Sequence, residues 1–351
     1  MIISYTVKSL GEYFSCIGQI TRNYITQNEK SEPWLWFRGH EQYNYSIIPT
    51  LFRGKCSEVI CNNYTQTNFR EAQRINHFGA RNHHFVESNL TNNLDWMEVM
   101  QHHSTSTRLA DWSTSSIHAL LFALDPYMDS SKSKYVCKDG YVISPHVYVS
   151  MPQMINKKII ELILNSKEKI LERCLKYLQV DDKYHKEIVA LIHKNGEMYT
   201  DIGDSYETKM NFLYNLPMII QQIESEPLNF VEQLRNGDQN PWHYIFYAIY
   251  YRGMKLSLYE LPPLSILTYV HSQRIKDQHG AFSIFPNYIN HTGKLQLNQA
   301  GMEYNDSIQE YMFRIEIESP KDILEEIRAN GFTRSWIYSE APIISYEIEG
   351  F

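Results

Sequence analysis

The sequence predicts an α+β fold, and three observations lead there. Short runs rich in aromatic and branched residues stand towards both ends, at Trp34–Phe37, Ser265–Val270, Ala281–Phe285 and Tyr311–Glu318. Between them, from Ile155 to about Leu191, apolar residues recur at helical spacing among Lys and Glu. No internal repeat or low-complexity tract appears, so a solenoid is excluded. Strands at both ends of a helical middle read as α+β. The divisions expected are a first core part over 1–154, a mostly helical insertion over 155–255, and a second core part over 256–351.

The totals fit one large domain or two ordinary ones: 351 residues, 43% hydrophobic. A net charge of −7 argues against non-specific duplex binding, which needs a basic face. The 26 tyrosines suit half-buried packing and aromatic pockets alike. The five cysteines, Cys16, Cys56, Cys61, Cys137 and Cys174, form no CxxC pair. Reduced thiols in a cytoplasmic setting fit better than a disulfide framework or a structural zinc. No signal peptide and no membrane span is expected.

In chain order, Ser9–Thr26 reads as an amphipathic helix. Ser9 and Glu12 form a capping box, and Leu10, Tyr13, Phe14, Ile17, Ile20 and Tyr24 are expected to form its buried stripe. Trp34–Phe37 reads as a buried strand ending in Arg38-Gly39-His40. An arginine held there suits a phosphate or carboxylate, and an internal ion pair equally well. Phe69–Phe85 and Asp95–Gln101 read as helices, the second leading into His102-His103.

The stretch Met97–Leu124 organises the chain. Its polar half ends in Ser113-Thr114-Ser115, directly before an apolar helix with Ile117, Leu120, Leu121 and Leu124 on one face. A hydroxyl there can cap the first turn, and the positive end of such a helix receives phosphate. The plain alternative is an ordinary loop before a capped core helix. Arg108 and Asp111 are spaced to form a local pair. The histidines match no HExxH pattern, so no metal is expected. Asp125–Lys134 reads as a loop, Tyr141–Ile143 and His146–Val149 as strands, Met198–Glu224 as helix broken near Pro217, and Trp242–Met254 as an aromatic helix. Pro320–Ala329 closes the chain as a helix stopped by Asn330-Gly331.

Several of these pieces together resemble the bacterial FRG domain family. They are Trp36-Phe37-Arg38-Gly39, Gln101-His102-His103, Thr107-Arg108-Leu109, Asp111-Trp112 and Ala119–Ala123. Asp139–Val142 with Pro145, then Arg274, Gln278, Gly280, Ala281 and Phe282, and the Lys321–Gly331 helix extend the likeness outside about 155–255. Ser104 and Ser106 stand where the family has Gly and Pro, Ala110 where it has Leu, and Ser116 where Pro is common, so the loop geometry is softer here.

The resemblance implies a split-sheet core similar to the ADP-ribosyltransferase superfamily. There Arg38 would hold the diphosphate or nicotinamide ribose of NAD, and Ser113 or Ser115 would brace the site. Gln278 falls where that superfamily has a catalytic glutamate. It can orient a ribose hydroxyl but carries no charge. Asp111 and Glu316 are possible substitutes. The catalytic set implied is Arg38, Ser113 and Gln278. The implied NAD contacts are Arg38, Gly39, His102, His103 and Thr107. Arg108, Asp111, Trp112, Ser115, Gly280 and Phe282 join them.

Two functions follow. One is an NAD-consuming enzyme that transfers ADP-ribose to a macromolecule or hydrolyses NAD, set in a toxin or phage-defence role. The other is a non-catalytic module sensing a nucleotide or a protein terminus, with 155–255 contacting a partner protein. A metal-dependent nuclease built on His102, His103 and Asp111 ranks last, because no zinc or magnesium ligand set is visible. NAD is the expected substrate.

Overall fold

The computed structural model describes residues 2–28, 34–42, 45–53, 73–81, 93–128, 144–166, 169–201, 223, 230–236, 240–254, 256–257, 261–267, 273–286, 288–289 and 301–338. The expected strand at Tyr141–Ile143 and most of the helix expected over Met198–Glu224 lie outside these residues, as do Cys56, Cys61 and Cys137.

A mixed seven-stranded sheet carries the fold. Its strands are β1 (Ile3–Val7), β2 (Trp36–His40), β3 (Leu109–Ser113), β4 (His146–Ser150), β6 (Leu264–Ile266), β7 (Gly280–Ile284) and β9 (Met312–Ile317). The order across the sheet is β1-β9-β4-β2-β3-β7-β6. Within this sheet, among the described residues, only the β1–β9 pair is parallel. Two short strands, β5 (Leu256–Ser257) and β8 (Tyr288–Ile289), pair separately. The α+β expectation holds.

The sheet consists of two fully laddered blocks. β2 pairs with β4 at every position from Trp36 to His40, and β3 pairs with β7 at every position from Leu109 to Ser113. Between the blocks β2 and β3 meet at one register position, Phe37 opposite Ser113. Beyond it the strands diverge, and their backbone groups need other partners.

On one face lie α1 (Leu10–Asn28), α3 (Ser116–Met128) and α10 (Pro320–Ala329). Their apolar sides bury Tyr13, Ile20, Leu120, Leu124 and Ile323 against Phe37, Val147, Val149 and Ile315. Half of the expected capping box forms: Ser9 Oγ accepts from Glu12 N at 3.1 Å, while the Glu12 carboxylate accepts from Lys8 N at 2.7 Å, one residue before the cap. α3 runs four residues past Leu124. Asp125–Met128, expected as loop, is its last turn, with Pro126 inside. Proline there forfeits one helical hydrogen bond. The turn is held instead through buried Asp125, which pairs with Arg334 at 2.8 Å.

The second core cluster is continuous with the helical middle of the chain. It joins α2 (Asn93–His102), α4 (Pro152–Leu164), α5 (Ile170–Tyr177), α6 (His185–Asp201), α7 (Phe230–Asn236) and α8 (Pro241–Phe246) to Trp36, Leu109, Trp112 and Phe282. Ile159, Ile160 and Ile163 are its buried stripe on α4. Asn156 of α4 seals the edge strand β6. Its Nδ2 donates to Ser265 O at 2.8 Å and its Oδ1 accepts from Ser265 N at 2.9 Å. The edge is thereby closed to further strands. The expected aromatic helix is α8 continuing as a π-helix over Tyr247–Tyr251. Among the described residues no helix is long and apolar enough to cross a membrane.

Candidate functional site

The seam between β2 and β3 is where the functional side chains collect. Arg38-Gly39-His40, expected just past a strand, lies inside β2. Arg38 uses its guanidinium to replace the missing ladder. Nη1 donates to the backbone carbonyl of Asp111 on β3, and Nε donates to His40 Nε2 at 2.9 Å. A guanidinium only donates, so Nε2 must be the acceptor and the proton of His40 sits on Nδ1. That nitrogen lies 2.9 Å from Tyr45 O. Burial, then the Arg38 cation and His146, hold His40 well below its ordinary pKa, so it stays neutral. Burial also lowers the pKa of Arg38, against the opposing pull of Asp111.

Gly39 faces the other way. A Cβ built there would lie 1.9 Å from the carbonyl oxygen of Ala119 and 2.7 Å from Ala123 N. Strand and helix backbones touch at this point, which only glycine permits. α3 thereby comes close enough for Ala119 and Phe122 to wall the cavity described below.

Asp111 does not pair with Arg108. Its Oδ2 accepts from Gln101 Nε2 at 3.0 Å and lies 3.8 Å from Arg38 Nη1. Residues three apart on an extended chain point to opposite sides, so the expected local pair cannot form. Arg108 is buried in the core and donates to Phe285 O at 3.2 Å and Tyr251 O at 3.4 Å. Thr107 is also buried, with Oγ1 donating to Gln101 Oε1 at 2.5 Å.

Ser113 and Gln278 are brought together. Ser113 Oγ donates to the backbone carbonyl of Gln278 at 2.7 Å and accepts from Ser115 N at 3.1 Å. It ties the end of β3 to the turn between α9 (Gln273–Asp277) and β7. The Gln278 side chain donates from Nε2 to Ile337 O at 2.5 Å. Ser115 Oγ lies 3.5 Å from His118 N, and Thr114 N donates to His279 O at 2.9 Å. The start of α3 is therefore occupied by its own hydroxyls, and the side of the helix faces the cavity. The Arg274 side chain lies outside the described residues.

These groups enclose a cavity of about 520 Å³, within the usual range for small-molecule sites. Of the residues expected to act, Arg38, Gly39, His102, Asp111, Trp112, Ser113, Gln278, Gly280 and Phe282 line it. His103, Thr107, Arg108 and Ser115 do not. His103 packs on Phe78, ring centroids 5.9 Å apart. Sequence reasoning missed His40, Arg53, Glu41, Glu98, Tyr45 and Phe122 as wall residues. One signal was available for Arg53: it follows Leu51-Phe52 as Arg38 follows Trp36-Phe37. The wall is split in character, with Arg38, Arg53, Glu41 and Glu98 polar and Phe37, Phe122, Ile275 and Phe282 apolar. Among the described residues no group of three or more His, Cys, Asp or Glu is placed to hold a metal ion.

Residues 34–132 match the FRG domain family. No curated protein and no solved structure matches the chain. The FRG match spans β2, α2, β3 and α3, and so supplies Arg38, Gln101, Asp111, Ser113 and the α3 wall. The adjoining wall residues Ile275, Gln278, Gly280 and Phe282 come from outside the FRG match.

Proposed function

We propose that the cavity binds NAD and that the protein consumes it, by ADP-ribose transfer to a macromolecule or by hydrolysis. The observation that carries this reading is the seam itself. A guanidinium fixed by two hydrogen bonds stands 3.8 Å from a carboxylate, and both line a cavity that also has apolar side chains in its wall. A guanidinium suits the diphosphate, and an aromatic wall suits a base or nicotinamide. The chain order Arg38, Ser113, Gln278 and the split of the sheet support the likeness to ADP-ribosyltransferases.

The test is nicotinamide release from NAD, followed by chromatography. Wild-type protein releases nicotinamide, and Arg38→Ala lowers that rate by about 100-fold while keeping its circular dichroism spectrum. Protein that neither binds nor consumes NAD ends this reading.

One observation favours a second reading, a nucleotide sensor without turnover. The amide of Gln278 is committed to Ile337, and glutamine supplies no charge. Thermal stabilisation by NAD or ADP-ribose without product would select the sensor.

A further inference from the structure

We propose that Asp111 is the catalytic carboxylate of this site, aimed by a relay from Thr107 through Gln101; the inference rests on the NAD reading. The relay has one consistent direction. A carboxylate only accepts, so Gln101 turns its Nε2 to Asp111 and donates to Oδ2 at 3.0 Å. Its Oε1 then faces Thr107, whose hydroxyl donates to it at 2.5 Å. The same hydroxyl accepts from Leu109 N at 3.2 Å. Arg38 Nη1 stands 3.8 Å from Asp111 Oδ2 and also holds the backbone carbonyl of Asp111.

Amide and guanidinium thus gather on one carboxylate oxygen, which fixes its direction. The Asp111 side chain is about half exposed at the cavity, at 52%, so a ligand can reach it. Glu98 shares the cavity but is fully buried. Gln278 has no charge to offer. The spacing Gln101, Thr107, Asp111 in the FRG segment is the sequence form of this relay.

The chemistry balances without a redox partner. The bond from the ribose C1′ of NAD to nicotinamide breaks, and its electron pair leaves with neutral nicotinamide. Positive charge builds on the ribose, and the Asp111 carboxylate stabilises it. The oxygen of water, or of an acceptor hydroxyl, bonds to C1′. Its proton passes to Asp111 and then to solvent. The products of hydrolysis are nicotinamide, ADP-ribose and one proton.

The test measures nicotinamide release by wild type, Asp111→Asn, Asp111→Ser, Glu98→Gln and Gln101→Met. ADP-ribose binding is followed in parallel by thermal shift. Asp111→Asn lowers kcat by about 100-fold or more and still binds ADP-ribose. Asp111→Ser gives the same answer should the asparagine variant fail to fold. Gln101→Met, which keeps the side-chain volume but loses both the donor to Asp111 and the acceptor of the Thr107 hydroxyl, lowers kcat by about tenfold at unchanged KM. If wild type turns over NAD and both Asp111 variants retain its kcat within threefold, Asp111 is not the acid and the NAD reading stands. Loss of turnover in Glu98→Gln alone moves the role to Glu98. If wild type leaves NAD intact, this inference and the NAD reading fall together.

Discussion

Strand β2 has two neighbours in the sheet and treats them differently. Against β4 it is laddered from Trp36 to His40, and the side chains of that junction are packed: His40 opposite His146, with ring centroids 5.4 Å apart and Tyr148 close to both. Against β3 it holds one register position and then parts. At the closed junction, backbone satisfies backbone and nothing else fits. At the open one, Arg38 takes over the Asp111 carbonyl, and room appears for a ligand beside it. A sheet can form a binding site by omitting part of a ladder, provided side chains take over the groups so exposed. The closed junction keeps the open one in place.

The most severe way to break this contrast is Gly39→Ala. The added methyl would stand 1.9 Å from the carbonyl oxygen of Ala119, an atom of a helix backbone that cannot swing aside. Overpacking of this kind costs about 3 kcal/mol or more. Helix α3 must lift off β2, and the cavity wall leaves with it. The expected result is little folded protein, seen as loss of a cooperative urea transition. A stable Gly39→Ala protein with wild-type melting would show that α3 does not rest on this strand.

The next effect comes from outside the seam. Arg334 pairs with Asp125 at the end of α3, and the carboxylate is almost wholly buried. The same C-terminal turn presents the Ile337 carbonyl that holds Gln278. Arg334→Met leaves a buried carboxylate without its cation, which costs about 3 kcal/mol. Urea unfolding measures the loss, and Asp125→Asn with Arg334→Met recovers part of it. A change below about 0.5 kcal/mol would mean the pair is in effect solvated.

How much of this was legible in the residues follows from the range of the interactions. Local signals read well: the Ser9 cap, the helix Pro320–Ala329, the strands around Phe282 and Ile315. These depend on neighbours within a few positions. Arg38, Asp111, Ser113 and Gln278 were legible as a set through their motifs, and they do line one cavity or brace it. The wrong pairing was Arg108 with Asp111. Spacing alone cannot tell a helix turn, where residues three apart meet, from a strand, where they part. The run Leu109–Ser113 reads as polar loop because Asp and Ser interrupt it. It becomes a strand because β7 supplies a full ladder from residues about 170 positions away. The single-position seam has no local signature at all.

The closed junction can also be read by titration. Burial, chiefly, holds His146 down to about 4 and His243, within α8 of the helical region, likewise to about 4, while His40 stays well below its ordinary value. The unfolded chain takes up these protons near pH 6.5, and the folded protein refuses them until about pH 4. Stability therefore falls as pH drops from about 6.5 to about 4, with a slope of up to about 1.4 kcal/mol per pH unit for each histidine, and levels off below. Buried Glu303 has the opposite sign, since its raised pKa lets the fold bind a proton sooner than the open chain. Urea melts at pH 7, 5.5 and 4.5 measure the slope. His146→Phe should remove one histidine's share through the closed junction, and His243→Phe another through the helical region. Equal shares would show that the closed junction and the helical region unfold as one unit. If His146→Phe leaves the slope untouched, that ring is already wet, and the closed junction is as open as its neighbour.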